Sequence, residues 1–144
     1  MREASAVLLG INVALILWIT MLDRAQTPSR TVYLPFHALL SGWQDIQRNG
    51  ITGNILGNIA LFVPIGALAP VMCGRKKWWT AMLAGCGLSL LIEIMQLLTK
   101  RGVSDPDDVI LNGLGTAIGY GILKIISVFI KRISAKMKTE EKTP

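Results

Sequence analysis

The stretch LLIEIMQLLTKRGVSDPDDVILNGLGTAIGYGI, residues 90–122, joins two apolar runs through a polar connection, and its reading decides the fold. Each run continues beyond the stretch to the length of a membrane span, which needs about 20 mostly apolar residues to cross a hydrocarbon core. Yet Glu93, Gln96, Arg101, Asp105, Asp107, Asp108 and Asn112 fall inside or between the runs. An ionised side chain at the centre of a span costs about 2.5–3.5 kcal/mol on insertion scales, so such groups turn toward neighbouring helices or a wet cavity. A chain that keeps them there has something for them to face.

The rest of the 144-residue chain fits this reading: it is 51% hydrophobic, only 17% charged, and contains 14 glycines. Its mean hydropathy is +0.49 and its net charge +6. The Lys and Arg residues sit beside apolar runs rather than in a patch with interleaved aromatics, so the basic balance points to a membrane and away from nucleic acid. Cys73 and Cys86 lack CxxC spacing and indicate neither a zinc site nor a disulfide. With His37 as the single histidine, histidine-rich metal sites and HExxH proteases are excluded. No metal site is assigned, and the sequence specifies no cofactor.

Four spans are predicted, over residues 4–22, 54–73, 78–98 and 109–130, giving an all-α integral membrane bundle. They belong to one membrane domain over residues 1–132, followed by a disordered basic cytoplasmic tail over 133–144. Arg2 precedes the first span, but TMLDRAQ offers no small-x-small cleavage site, so the run is read as an uncleaved helix. With both termini cytoplasmic, the inner side holds Arg2, Arg75, Lys76, Lys77, Lys131, Arg132, Lys136, Lys138 and Lys142, and the outer side only Arg24, Arg30, Arg48, Lys100 and Arg101. The excess of inner cations favours that orientation, with Lys124 snorkelling inward.

The connection PFHALLSGWQDIQRNG, residues 35–50, places Phe36, Leu39, Leu40, Trp43 and Ile46 at helical spacing, opposite Gln44, Asp45, Gln47 and Arg48. This predicts a short amphipathic helix on the outer interface between the first two spans; a loop covering the bundle fits equally well.

Helical periodicity then gathers the polar groups. Ser89, Glu93, Gln96 and Lys100 share one face of the third span, and Asp108, Asn112, Gly115 and Gly119 one face of the fourth. In the second span Asn54, Asn58 and Phe62 repeat at every fourth residue, with Pro64 just beyond as a source of a kink. In the orientation above, Asn54, Asn58, Glu93, Gln96, Asp108 and Asn112 all lie in the outer halves of their spans. The competing reading is structural. Amides and hydroxyls glue helices together, and Gly115-x-x-x-Gly119 and Gly53-x-x-x-Gly57 are close-packing motifs. Asp105 before Pro106 has the form of a helix N-cap, and Asp108 three residues on can reach back as in a capping box.

As chemistry, Glu93 and Asp108 are the candidates for acid–base work, and Asp105, Asp107 and Asp108 for a divalent cation, although DPDD is not the spacing of a familiar aspartate-rich motif. No serine or cysteine nucleophile stands beside a base, and no phosphate-binding glycine loop is present.

Three blocks of sequence carry a resemblance: PF at 35–36, GNIALFVPIG at 57–66, and a signature ExxQ…R…D…N-x-x-G on Glu93, Gln96, Arg101, Asp105, Asp108, Asn112 and Gly115. With these blocks the chain resembles the VanZ-like family of small bacterial membrane proteins, from about residue 35 to 130. The family is named for a glycopeptide-resistance protein associated with reduced teicoplanin susceptibility. The resemblance therefore implies a bacterial envelope location and a resistance role; it implies no reaction.

Two functions follow for the candidate set Asn54, Asn58, Glu93, Gln96, Arg101, Asp105, Asp108 and Asn112. In the first, an outer-leaflet pocket binds a cell-wall precursor, a lipid headgroup or a lipoglycopeptide, with Arg101 and Lys100 taking an anion and Glu93 and Asp108 an amine or a proton. In the second, a small intramembrane enzyme uses Glu93 as acid or base, Arg101 to stabilise an anion, and Asp108 as orienter or metal ligand. A structural role in a larger complex is the third reading. A homo-oligomer built through the glycine faces would supply the missing wall of an enclosed site.

Overall fold

The computed structural model describes residues 2–22, 53–74, 77–100 and 105–140, all of them in helices or the turns that end them. Helix α1 spans Arg2–Leu17 and runs into a π-helical segment, Trp18–Leu22. Helix α2 spans Gly53–Met72, α3 Trp78–Thr99, and α4 Pro106–Glu140. All four are long and apolar enough to cross a membrane, with mean hydropathies of 2.1, 2.0, 1.8 and 1.7 over their most apolar windows. The architecture is the expected all-α bundle of four apolar helices, and no strand occurs among the described residues. The amphipathic helix expected within residues 35–50 lies outside them.

Local chemistry explains where the helices stop. Helix α2 passes through Pro64 and Pro70 without a break and ends at Met72, two residues before Gly74, whose φ of 65° opens the left-handed turn. Prolines are tolerated within membrane helices because neighbouring groups re-satisfy the backbone around them. Helix α3 ends at Lys100, also left-handed at φ 55° and ψ 30°, a conformation that usually falls to glycine or asparagine. Five residues later Asp105 caps α4 and Pro106 occupies its first turn, where a missing N–H costs nothing.

The helices pack on two different principles. The apolar core joins α1, α2 and α3: Ile16, Phe62, Ile65, Ala69 and Ile92 are buried, with Leu9, Leu61, Ala84 and Leu88 packed around them. Against α2, helix α4 packs backbone to backbone. A Cβ on Gly115 would overlap the Ile59 carbonyl oxygen, one on Gly119 the Val63 carbonyl oxygen, and one on Gly66 the Thr116 carbonyl oxygen. The Gly115–Ile59 and Gly119–Val63 contacts advance together along the chain, so α2 and α4 run parallel, and the Gly115-x-x-x-Gly119 motif is their seam. Thr116, fully buried, fills the notch left by Gly85 of α3. With no gain in hydrophobic burial available inside lipid, such close approach is the main source of attraction between spans.

Three expectations are corrected. Gly57 has open space where a Cβ would stand, so Gly53-x-x-x-Gly57 is not a packing motif at its second glycine. The glycine face of α4 is occupied by α2 within the chain, which removes it as the contact for a second copy. Helix α4 continues to Glu140, so residues 133–140, expected to be disordered, extend the last helix, because no helix breaker follows Gly121 before its end.

Candidate polar site between the helices

The polar residues collect where α1 ends, α2 begins, α3 ends and α4 begins. Asp105 is the hub. Its Oδ1 accepts the N–H of Asp107 at 2.9 Å, an N-cap bond, and its carbonyl accepts the N–H of Asp108 at 3.0 Å. The N–H of Asp105 itself donates to Glu93 Oε2 on α3 at 2.8 Å. Glu93 thus takes the role that a capping box would give to a residue of α4, and the expectation for Asp108 is corrected accordingly. Asp108 turns instead to α2, where Asn58 Nδ2 donates to its Oδ1 at 2.5 Å. A carboxylate bonded to amide N–H groups is held by charge-assisted hydrogen bonds, roughly twice as strong as neutral ones.

One turn deeper, Asn112 Nδ2 donates to Ser89 Oγ at 2.8 Å, and Thr116 Oγ1 donates to the Asn112 carbonyl at 2.8 Å. The pairs Glu93–Asp105 and Ser89–Asn112 fix α3 and α4 in antiparallel register. On the opposite flank Gln96 Nε2 donates to the Thr20 carbonyl at 3.2 Å, in the π-helical segment of α1, while Thr20 Oγ1 donates to the Ile16 carbonyl at 2.8 Å. The last carbonyls of a helix lack partners within it, and Gln96 satisfies one of them from a neighbouring helix.

Burial makes these groups consequential. Glu93 is 6% exposed, Gln96 3%, Asn112 6% and Asp107 0%. Two acceptors, Gln96 Oε1 and Asn112 Oδ1, are buried with no hydrogen-bond donor among the described residues. A third, Asn12 Oδ1, is stranded lower in the bundle, where Asn12 Nδ2 donates to the Leu61 carbonyl at 3.3 Å.

Asn58, Glu93, Gln96, Asp105, Asp108 and Asn112 are therefore all engaged in this constellation or at its edge. The side chain of Asn54 and the whole of Arg101 lie outside the described residues. Two participants were not singled out from the sequence, Thr20 and Thr116, while Asp107, expected there as a candidate ligand of a divalent cation, donates its N–H to Asp105 Oδ1. Thr116 is four residues beyond Asn112 and shares its face, so the same periodicity reveals it. Thr20 contributes through its backbone carbonyl, for which side-chain patterns give no signal. Among the described residues no three His, Cys, Asp or Glu side chains group as metal ligands; the Asp105 side chain caps α4 and the Asp108 side chain bonds to α2.

Beside this cluster, a crevice of about 450 Å³ opens between the end of α1 and α3, lined by Leu17, Met21, Leu88, Leu91, Ile92 and Met95. It is wholly apolar. Ile92 and Met95 each precede a cluster residue, so α3 presents the crevice on one face and the polar groups on the next.

The sequence profile of the VanZ/LLP1 family matches residues 9–127, most of the chain and all of the polar cluster. No curated protein and no solved structure matches it significantly. The chain belongs to the VanZ/LLP1 family, as a membrane protein built on four apolar helices.

Proposed function

We propose that the polar cluster faces the outer leaflet and binds an amphiphile with a polar head, whether an envelope precursor, a lipid headgroup or a lipoglycopeptide, and so contributes to teicoplanin-type resistance. Both termini are cytoplasmic in this reading, as the distribution of Lys and Arg favours. The observation that carries it is the pair of buried acceptors, Gln96 Oε1 and Asn112 Oδ1, that have no donor among the described residues and flank Glu93. An unsatisfied buried acceptor costs about 1–3 kcal/mol. Helix glue alone would have no reason to keep two in one cluster, whereas a site that receives a donor-bearing head, or the waters that accompany it, does. The carboxylates of Glu93 and Asp108 suit an amine on that head, and Arg101 and Lys100 suit an anionic group. The apolar crevice along α3 would take its hydrophobic tail. Membership of a family named for glycopeptide resistance supports the physiological end of the proposal.

Teicoplanin susceptibility of a sensitive Gram-positive host tests it, with wild type, Glu93→Gln and Asp108→Asn expressed at matched membrane levels. Wild type is expected to protect at least about fourfold and each isosteric variant to lose most of that protection, because loss of a charge-assisted bond in a recognition site is worth a factor of about ten. Equal protection by all three would make the cluster structural. No protection by any would remove the resistance role.

A further inference from the structure

Helix α4 is longer than a crossing requires. Its 35 residues extend about 52 Å at 1.5 Å per residue, against a hydrocarbon core of about 30 Å and about 40–45 Å for the bilayer with its headgroups. Asp108 lies near one interface in the polar cluster, so a crossing of about 20 residues ends near Val128. The remainder passes through the headgroups of the opposite leaflet.

At that level Lys124, Ile125, Val128, Phe129 and Arg132 line a shallow crevice of about 340 Å³. They recur at helical spacing and form one face. Ile125 is 71% exposed and Phe129 64%, so the rest of the bundle leaves this face uncovered. Lys124 and Arg132, two turns apart, bracket the apolar floor, and Lys124 Nζ stands 5.6 Å from the centroid of the Tyr120 ring on its own helix. Tyr120 lies one turn back toward the middle of the bundle, so Lys124 exchanges this weak contact for the phosphate when it turns toward Arg132. From Val109 to Thr139 the helix carries no Asp or Glu, and its next carboxylate, Glu140, comes two turns beyond Arg132.

We propose that this face binds one anionic phospholipid of the leaflet that receives the end of α4. The phosphate sits between Lys124 and Arg132, and an acyl chain lies along Ile125, Val128 and Phe129. A guanidinium grips phosphate oxygens through its fork of N–H groups, and a lysine beneath the interface snorkels up to the same oxygens along its own apolar stem. A zwitterionic lipid offers the same tail without the net charge. A second copy of this chain would bring like charges together. The site lies at the opposite end of the bundle from the polar cluster and does not depend on what that cluster binds.

The test uses the purified full chain in dodecyl maltoside with equimolar phosphatidylglycerol and phosphatidylcholine, counting the lipids retained by native mass spectrometry. Wild type is expected to prefer phosphatidylglycerol by about 25-fold, about fivefold for each cation, and Lys124→Gln/Arg132→Gln to retain the two lipids about equally. Lys136→Gln/Lys138→Gln removes the same charge outside the crevice and is expected to keep the preference, with helicity and melting unchanged in both variants. Equal retention of the two lipids by wild type overturns the site, as does an equal loss in both double variants, which would leave only diffuse attraction to a basic helix. Equal retention together with a disulfide-linked dimer through Phe129→Cys would assign the face to a second copy and overturn it too.

Discussion

At Glu93 one carboxylate does two jobs that can be separated by substitution. It accepts the Asp105 N–H, tying α3 to the start of α4, and it puts a carboxyl group in the cluster that holds Gln96 Oε1 and Asn112 Oδ1, two acceptors with no donor among the described residues. Glu93→Gln keeps an acceptor at the same position and is expected to lower stability in micelles by only about 1 kcal/mol, the difference between a charged and a neutral hydrogen bond. Glu93→Leu leaves the Asp105 N–H without its partner and is expected to cost about 2–3 kcal/mol. Denaturant unfolding followed by circular dichroism measures both. Should Glu93→Leu prove as stable as wild type, the carboxylate would not be holding the α4 cap, since a buried ion can be replaced by a well-packed apolar residue without loss only where nothing depends on it. The sequence marked Glu93 through the expense of a charge inside a span. It could not reveal the partner, because a backbone N–H twelve residues away leaves no trace in side-chain spacing.

Among the elements, α2 and α4 form the contact on which the position of the cluster depends. Gly115 and Gly119 bring the two backbones together, and Asn58 then reaches Asp108 from one helix to the next. Gly119→Ala, with a Cβ driven into the Val63 carbonyl, is expected to cost about 1–3 kcal/mol or more, whereas Gly57→Ala meets open space and is expected to be neutral or stabilising by up to about 1 kcal/mol. The fraction of folded protein recovered from membranes checks the pair, and equal behaviour of the two variants would contradict the packing described. Both glycines belong to GxxxG matches that look alike in sequence. Which one becomes a seam depends on the face its helix turns to a neighbour, and helix periodicity alone does not supply that neighbour. The four spans and the Asp105–Pro106 helix start were legible for a simpler reason: length, hydropathy and capping are local properties. The run of α4 beyond residue 130 was not, since the mixed composition of KRISAKMKTE fits either a solvated helix or a coil.

On the scale of the whole molecule, the two ends of the bundle differ in kind. One gathers Thr20, Asn58, Glu93, Gln96, Asp105, Asp107 and Asp108; the other gathers Arg2, Lys77 and the basic extension of α4. In the orientation we propose, with positive residues retained on the cytoplasmic side, the polar end faces outward and forms a site reached from outside rather than sealed helix glue. The most direct measurement is cysteine accessibility in intact cells, with Cys73 and Cys86 replaced by serine and single cysteines at Asn58, Val103, Ile118 and Lys76. A membrane-impermeant thiol reagent added outside is expected to modify Val103→Cys fast and Asn58→Cys more slowly, and to leave Ile118→Cys and Lys76→Cys untouched. Modification of Lys76→Cys but not Val103→Cys would invert the topology. Labelling of Val103→Cys with Asn58→Cys inert would contradict the claim itself, leaving the polar cluster as packing and nothing more.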